Sequence, residues 1–226
     1  MTDAPAGIAG LSLRSGGATR VLALGAHADD IEIGAGGLLL ELAASGRRLE
    51  IVWVVLSGDE TRAAEARTSA ARLLGGDVNV TVEIDTFRER YFPHEPELKE
   101  RFDDIGRRVK PDLVIAPRLE DRHQDHRVVA ELAWQTFRNH LVLEYEIPKF
   151  EGDLGQPNTY VPLQAATVER KIEHLLSAFP SQAHRAWFND ETFRAILRLR
   201  GIESNAPSGY AEGFTARKLV LDPRPA

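Results

Sequence analysis

Val21-Leu22-Ala23-Leu24-Gly25-Ala26-His27-Ala28-Asp29-Asp30-Ile31-Glu32-Ile33-Gly34-Ala35-Gly36-Gly37 is the stretch on which the fold turns. Val21–Gly25 reads as a buried strand, and a helix is expected over Gly36–Ser45. Between them lie one imidazole and two adjacent carboxylates. Ionisable groups at the exit of a buried strand are costly unless they are paired or bound to metal. A strand that hands such groups straight to a helix is the opening unit of an α/β sheet.

The same alternation continues outward. Leu49–Leu56 is continuous and β-branched, as in a strand covered on both faces. Thr61–Leu74 reads as an Ala-rich helix closed by Gly75-Gly76, and Val78–Ile84 as a strand. Glu95–Val109 is helical up to Lys110-Pro111. Asp112–Ala116 is a further buried strand, His126–Asn139 a helix and Leu141–Glu146 a strand. This order predicts a Rossmann-like α/β fold: a mostly parallel sheet with helices on both faces and a site at the carboxyl ends of the strands. After Pro148 the pattern changes. Lys149–Pro162 reads as a long loop, Gln164–Ala178 and Asn189–Arg200 as helices, and Phe214–Leu221 as a final strand. One domain is expected over residues 1–226, with residues 1–18 a loose leader and 149–226 the part that recognises substrate.

Composition narrows the classes. The formal charge is -6 over 226 residues, which argues against a nucleic-acid footprint. There is no cysteine, so disulfides and thiolate metal sites are excluded, and a cytoplasmic protein is expected. No apolar run approaches a membrane span. The N-terminal stretch lacks a basic region followed by an apolar core, so no signal peptide is expected.

The chemistry sits in two clusters, His27/Asp29/Asp30 and His123-Gln124-Asp125-His126. The strands Val21–Gly25 and Asp112–Ala116 should deliver both to one rim of the sheet. Three protein ligands plus water is the usual catalytic zinc arrangement, and His27, Asp30 and His126 can supply it. Asp29 is then unligated and available as general base. His123, one turn before His126, can protonate a leaving group or stabilise developing charge. Asp125 can hold His123 in the right tautomer. Taken alone, the Asp pair is as readily a helix N-cap and the HxxH a solvated helix start. Their convergence is what favours a site. His94, His140, His174 and His184 are expected on the surface or in the core. The Gly34–Gly37 run lacks G-x-G-x-x-G spacing, and carboxylates beside it would repel a pyrophosphate, so a dinucleotide is not expected.

Ala26–Gly37 resembles the (P/A)HxDDxExGxGG signature of the PIG-L/LmbE zinc deacetylase family, and Arg122–Arg127 its later HxDH signature. Thr61–Gly76, Lys171–Gln182 and Gly209–Phe214 resemble further family segments. The resemblance implies a Rossmann-like hydrolase that removes N-acetyl groups from glucosamine-type conjugates with one Zn2+ per chain. It places the zinc ligands at His27, Asp30 and His126, the general base at Asp29, and the acid or electrostatic stabiliser at His123. It also implies a substrate-binding arginine in the helix after the second strand, Arg62 or alternatively Arg67. Asp121 stands where some members carry a tyrosine. A small amino-sugar or glycoconjugate substrate is implied, and a homo-oligomer is compatible with the sequence. The alternatives are an amidase that cleaves a larger amide from a sugar-thiol conjugate, and a non-catalytic metal or sugar binder.

Overall fold

The computed structural model describes residues 18–75 and 78–220. Five strands build the parallel part of the sheet: β1 (Thr19–Gly25), β2 (Leu49–Val55), β3 (Asn79–Ile84), β4 (Leu113–Pro117) and β5 (Leu141–Tyr145). Between them run α1 (Asp30–Ala44), α2 (Glu60–Leu74), α3 (Glu97–Arg108) and α4 (Gln124–Thr136). The chain closes with β6 (Thr159–Pro162), α5 (Ala165–Ala178), α6 (Asp190–Glu203) and β7 (Ala211–Thr215). The seven strands lie in the order β3-β2-β1-β4-β5-β7-β6. All pairs among the first five are parallel, and β7 runs antiparallel to both β5 and β6.

The continuous apolar strands have a direct cause: alternate residues feed two separate cores. Val21 and Ala23 of β1, Ile51 and Trp53 of β2, and Leu113 and Ile115 of β4 pack with α1, α2, α5 and α6. Leu22 and Leu24, Val54, and Val114 and Ala116 face the other way, against Phe102 and Ile105 of α3 and Val129 and Ala133 of α4. A sheet covered on both faces needs apolar residues at every position. Each fully buried leucine or phenylalanine contributes roughly 1.5–3 kcal/mol relative to exposure.

β1 lies between β2 and β4, and the order of winding reverses there. Such a switch point opens a crevice beyond the carboxyl ends of the two central strands. The loops after Gly25 and after Pro117 both empty into it.

Three expectations need correction. The first helix starts at Asp30 and not at Gly36, because the glycines are helical residues chosen for close packing. A Cβ on Gly34 would lie 2.3 Å from the Tyr145 ring, and one on Gly37 would lie 2.7 Å from the Glu212 carboxylate. The expected loop Lys149–Pro162 contains β6, which survives its proline as an edge strand paired on one side only. The last strand is Ala211–Thr215; of the expected Phe214–Leu221, Leu221 lies outside the described residues, as do residues 1–17 of the leader. Its strand register was hidden by Glu212, a charged residue at a buried position.

Candidate active site

His27, Asp29 and Asp30 occupy the tight connection from β1 to α1. Asp30 Oδ2 accepts the His27 backbone N–H at 2.9 Å, which closes the turn. Asp29 is the residue before the helix, yet its side chain makes no capping hydrogen bond. The structural explanation for the acid pair therefore fails for Asp29, whose carboxylate is turned towards α2. On the β4 side, His123 does cap α4: its Nδ1 accepts the Asp125 backbone N–H at 3.3 Å.

Three donor atoms converge. His27 Nδ1 lies 3.1 Å from His126 Nε2. Asp30 Oδ2 lies 3.2 Å from His126 Nε2 and 3.5 Å from His27 Nδ1. Donors ~2.0–2.2 Å from a tetrahedral ion stand roughly 3.3–3.6 Å from one another, so this triangle is close to one face of such a tetrahedron. The donor set, two imidazoles and a carboxylate, suits Zn2+ and also other divalent ions. The nitrogens of His27, His123 and His126 also group, but within 4.8 Å. That group could also hold a metal ion, but its spacing is looser than that of the triangle completed by Asp30.

Each imidazole of the triangle is backed by its own carboxylate. His27 Nε2 lies 3.2 Å from Asp125 Oδ2, and His126 Nδ1 lies 2.9 Å from Asp121 Oδ2. Such outer carboxylates set the tautomer and raise ligand basicity. The expectation that Asp125 orients His123 is thereby corrected. The carboxylate of Asp125 serves His27 and accepts the backbone N–H groups of Arg90 at 2.6 Å and Phe92 at 3.3 Å. Its hydrogen bond to His123 is made by the main chain, whose N–H donates to the His123 Nδ1. Asp121 is a member the sequence reading missed. Lys149 Nζ holds it from the far side at 2.8 Å and is itself held by Asp153.

The electrostatics follow from this packing. Burial would depress the imidazoles, but Asp30 and the outer carboxylates outweigh it, so His27 is raised to about 9 and His126 to about 10. Burial also opposes ionisation of Asp121, but His126 and Lys149 hold its carboxyl down to about 2. The cluster is thus built to stabilise positive charge. His123 behaves oppositely: burial first, then the neighbouring imidazoles, bring it down to about 4. With Nδ1 accepting from the main chain, a neutral His123 carries its proton on Nε2. Asp29 is raised by burial, against the pull of Arg62. Arg62 Nη2 donates to Asp29 Oδ1 at 2.6 Å, and Nη1 lies 3.5 Å from Glu89.

These groups open into a cavity of about 240 Å³. His27, Asp29, Asp30, Arg62, His123 and His126 all line it; Arg67 does not, and is exposed on α2. The third acid of the first motif, Glu32, stays out of the cavity. It is buried, is raised to about 8 by that burial, and accepts from Ser69, whose hydroxyl lies 2.8 Å from His174 Nε2.

The profile of the PIG-L family, described as GlcNAc-PI de-N-acetylase, matches residues 22–137. This is half of the chain, and it contains both clusters. The chain belongs to the PIG-L family. PIG-L membership supports a hydrolytic deacetylase acting on N-acetylated, sugar-type substrates. Solved structures share the fold. A conserved protein of Thermus thermophilus is 22% identical with a TM-score of 0.69, over 89% of this chain and 96% of that one. N,N'-diacetylchitobiose deacetylase from Pyrococcus horikoshii is 22% identical with a TM-score of 0.66, over 87% and 82%. GalB, the 4-carboxy-2-hydroxymuconate hydratase of Pseudomonas putida, is 20% identical with a TM-score of 0.70, over 92% and 100%. Proteins named for different reactions thus share this fold, and the reaction must be argued from the site. No helix among the described residues is long and apolar enough to cross a membrane.

Proposed function

We propose that this protein is a zinc-dependent N-deacetylase that removes the acetyl group from an N-acetylated amino sugar or its conjugate. The observation that carries the proposal is the 3.1–3.5 Å triangle of His27, Asp30 and His126 beside a carboxylate, Asp29, that neither joins it nor caps its helix. Zn2+ held by that triangle would polarise the amide carbonyl and make water a better nucleophile near neutral pH.

The remaining work falls to the chain. Asp29 takes the proton of the attacking water, and its burial raises its basicity for that task. Arg62 limits the rise and fixes the carboxylate's direction. His123 presents Nε2–H to the carbonyl oxygen as negative charge develops there, the role open to a neutral imidazole. The proton gained by Asp29 is then available to the departing nitrogen. Water adds to the acyl carbon, the C–N bond breaks, and acetate and a free amine result.

Acetate release from N-acetylglucosamine conjugates is the test, run on chelated protein and again after Zn2+ is restored. Activity that appears only with metal supports the proposal. Binding of sugar and metal without acetate would leave a non-catalytic binder. His123→Ala should keep zinc and lose mainly kcat; full activity in that variant would return His123 to an ordinary capping residue.

A further inference from the structure

Four cationic side chains line the cavity: Arg62, Arg90, Lys149 and Arg185. Two are neutralised within the chain, Arg62 by Asp29 and Glu89, and Lys149 by Asp121 and Asp153. The guanidinium groups of Arg90 and Arg185 have no carboxylate partner among the described residues. Arg90 is exposed, so water satisfies it. Arg185 is half-buried, and it is fixed.

A chain of contacts fixes it. Glu65 on α2 accepts the backbone N–H of Ser181 at 3.0 Å and its hydroxyl at 2.6 Å. Ser181 Oγ in turn accepts from Gln182 Nε2 at 3.0 Å. Gln182, only 4% exposed, uses its remaining amide oxygen to accept from Arg185 Nε at 2.7 Å. All three supports are spent on aiming one guanidinium, and both of its terminal nitrogens are left without a protein partner among the described residues. A flexible arginine on a surface needs no such scaffold. A guanidinium held by Nε presents its Nη pair as a fork, the shape that matches two oxygens of a carboxylate or phosphate. A neutral ligand filling the cavity would strip water from this fixed charge and leave it unpaired, at a cost in affinity.

We propose that the cavity takes an N-acylated substrate bearing an anionic oxygen group, a carboxylate or a phosphate, which Arg185 grips and Arg90 assists. This rests on the deacetylase reading of the neighbouring site. Phe150, 72% exposed, and the half-buried Trp187 give the same cavity an apolar wall against which a sugar ring can lie. Glu151 also lines the cavity and is exposed. It opposes an anion, but it is one solvated carboxylate against two guanidinium groups.

The test compares three probes on the zinc-loaded protein: a neutral methyl glycoside of N-acetylglucosamine, N-acetylmuramic acid as the carboxylate, and N-acetylglucosamine 6-phosphate as the phosphate. Acetate release should favour at least one anionic probe by about ten- to hundredfold in kcat/KM, the range of a charge-assisted fork. The probe preferred identifies the source of the charge. Arg185→Gln should collapse the anionic-to-neutral ratio towards unity, and Arg185→Lys should restore part of it, since a point charge replaces the fork. Added salt should erode the preference in the native protein. Acetate from all three probes at equal kcat/KM overturns the inference while the deacetylase reading stands. Acetate from none overturns the deacetylase reading, and calorimetry of the same probes then decides the inference: anionic probes that bind no tighter than the neutral one, or bind the Arg185→Gln protein equally well, overturn it.

Discussion

Helix α1 runs past two clusters of buried charge that are built on opposite plans. In its middle, Glu212 from β7 accepts the N–H groups of Gly37 at 2.6 Å and Leu38 at 2.7 Å, and the Lys171 ammonium at 2.6 Å. Lys171 also donates to the Ile33 carbonyl at 2.6 Å. Anion, cation and backbone complete one another, and nothing is asked of solvent. At the N-terminal end, Asp30, Asp121 and Asp125 surround two imidazoles that carry positive charge only when protons or a metal supply it. The first cluster is a staple that ties helix to sheet. The second is completed only by what enters from outside, and that incompleteness marks it as a site.

Substitutions can break the contrast. His126→Ala should have the largest effect, abolishing both metal retention and acetate release, because it removes a triangle member and strands Asp30. Metal analysis of the purified variant checks this. Asp29→Asn should keep the metal and cost about a hundred- to ten-thousand-fold in kcat, the range of a general base. Loss of metal there would make Asp29 a ligand instead. Lys171→Met should act on stability and not on chemistry. It leaves Glu212 buried without its cation, which costs about 3–5 kcal/mol. Urea unfolding should register that loss while metal content per folded chain stays unchanged. Asp121→Asn and Asp125→Asn should each weaken metal binding by about ten- to a hundredfold, as outer carboxylates do. Chelator competition measures both.

The smallest effect is one of pH, and it sharpens the comparison. The pKa values of His27 and His126 are raised in the fold, so each stabilises the metal-free protein fully below the ordinary histidine range. That contribution is lost as pH climbs through about 9 and 10. Metal-free protein should therefore melt at progressively lower temperature above neutral pH. The zinc-loaded form should not follow, and loading at pH 7 should release about one to two protons per ion. Melting curves of both forms across that range, with a proton indicator during loading, decide it.

The parallel half of this molecule was legible because a strand buried on both faces writes itself as an unbroken apolar run, as Leu49–Val55 does. The convergence of His27, Asp30 and His126 was legible for the same reason: strand ends locate loops. What failed was whatever depends on a partner distant in sequence. The start of α1 was obscured by glycines whose purpose is Tyr145 and Glu212, each more than a hundred residues away. β6 and the register of β7 were obscured because they pair chiefly with each other, at the edge of the sheet. Asp121 was visible as a residue, but its service to His126 rests on a side-chain direction that no spacing encodes. The same holds for Asp125, whose neighbour in sequence, His123, is not the imidazole it orients.

Arg90 has a consequence for how this scaffold can diverge. Its backbone sits at φ 69°, unusual for a side chain of this size, and in that conformation its N–H reaches Asp125 behind His27. Its side chain meanwhile lines the cavity. Main chain and side chain at this one position answer to separate demands, the first to the Asp125–His27 pair and the second to the cavity. Exchange for glycine or asparagine, which accept that backbone conformation readily, would remove the guanidinium and keep the peptide hydrogen bond. A change of side chain at position 90 can therefore alter the cavity wall without disturbing the support that Asp125 gives His27.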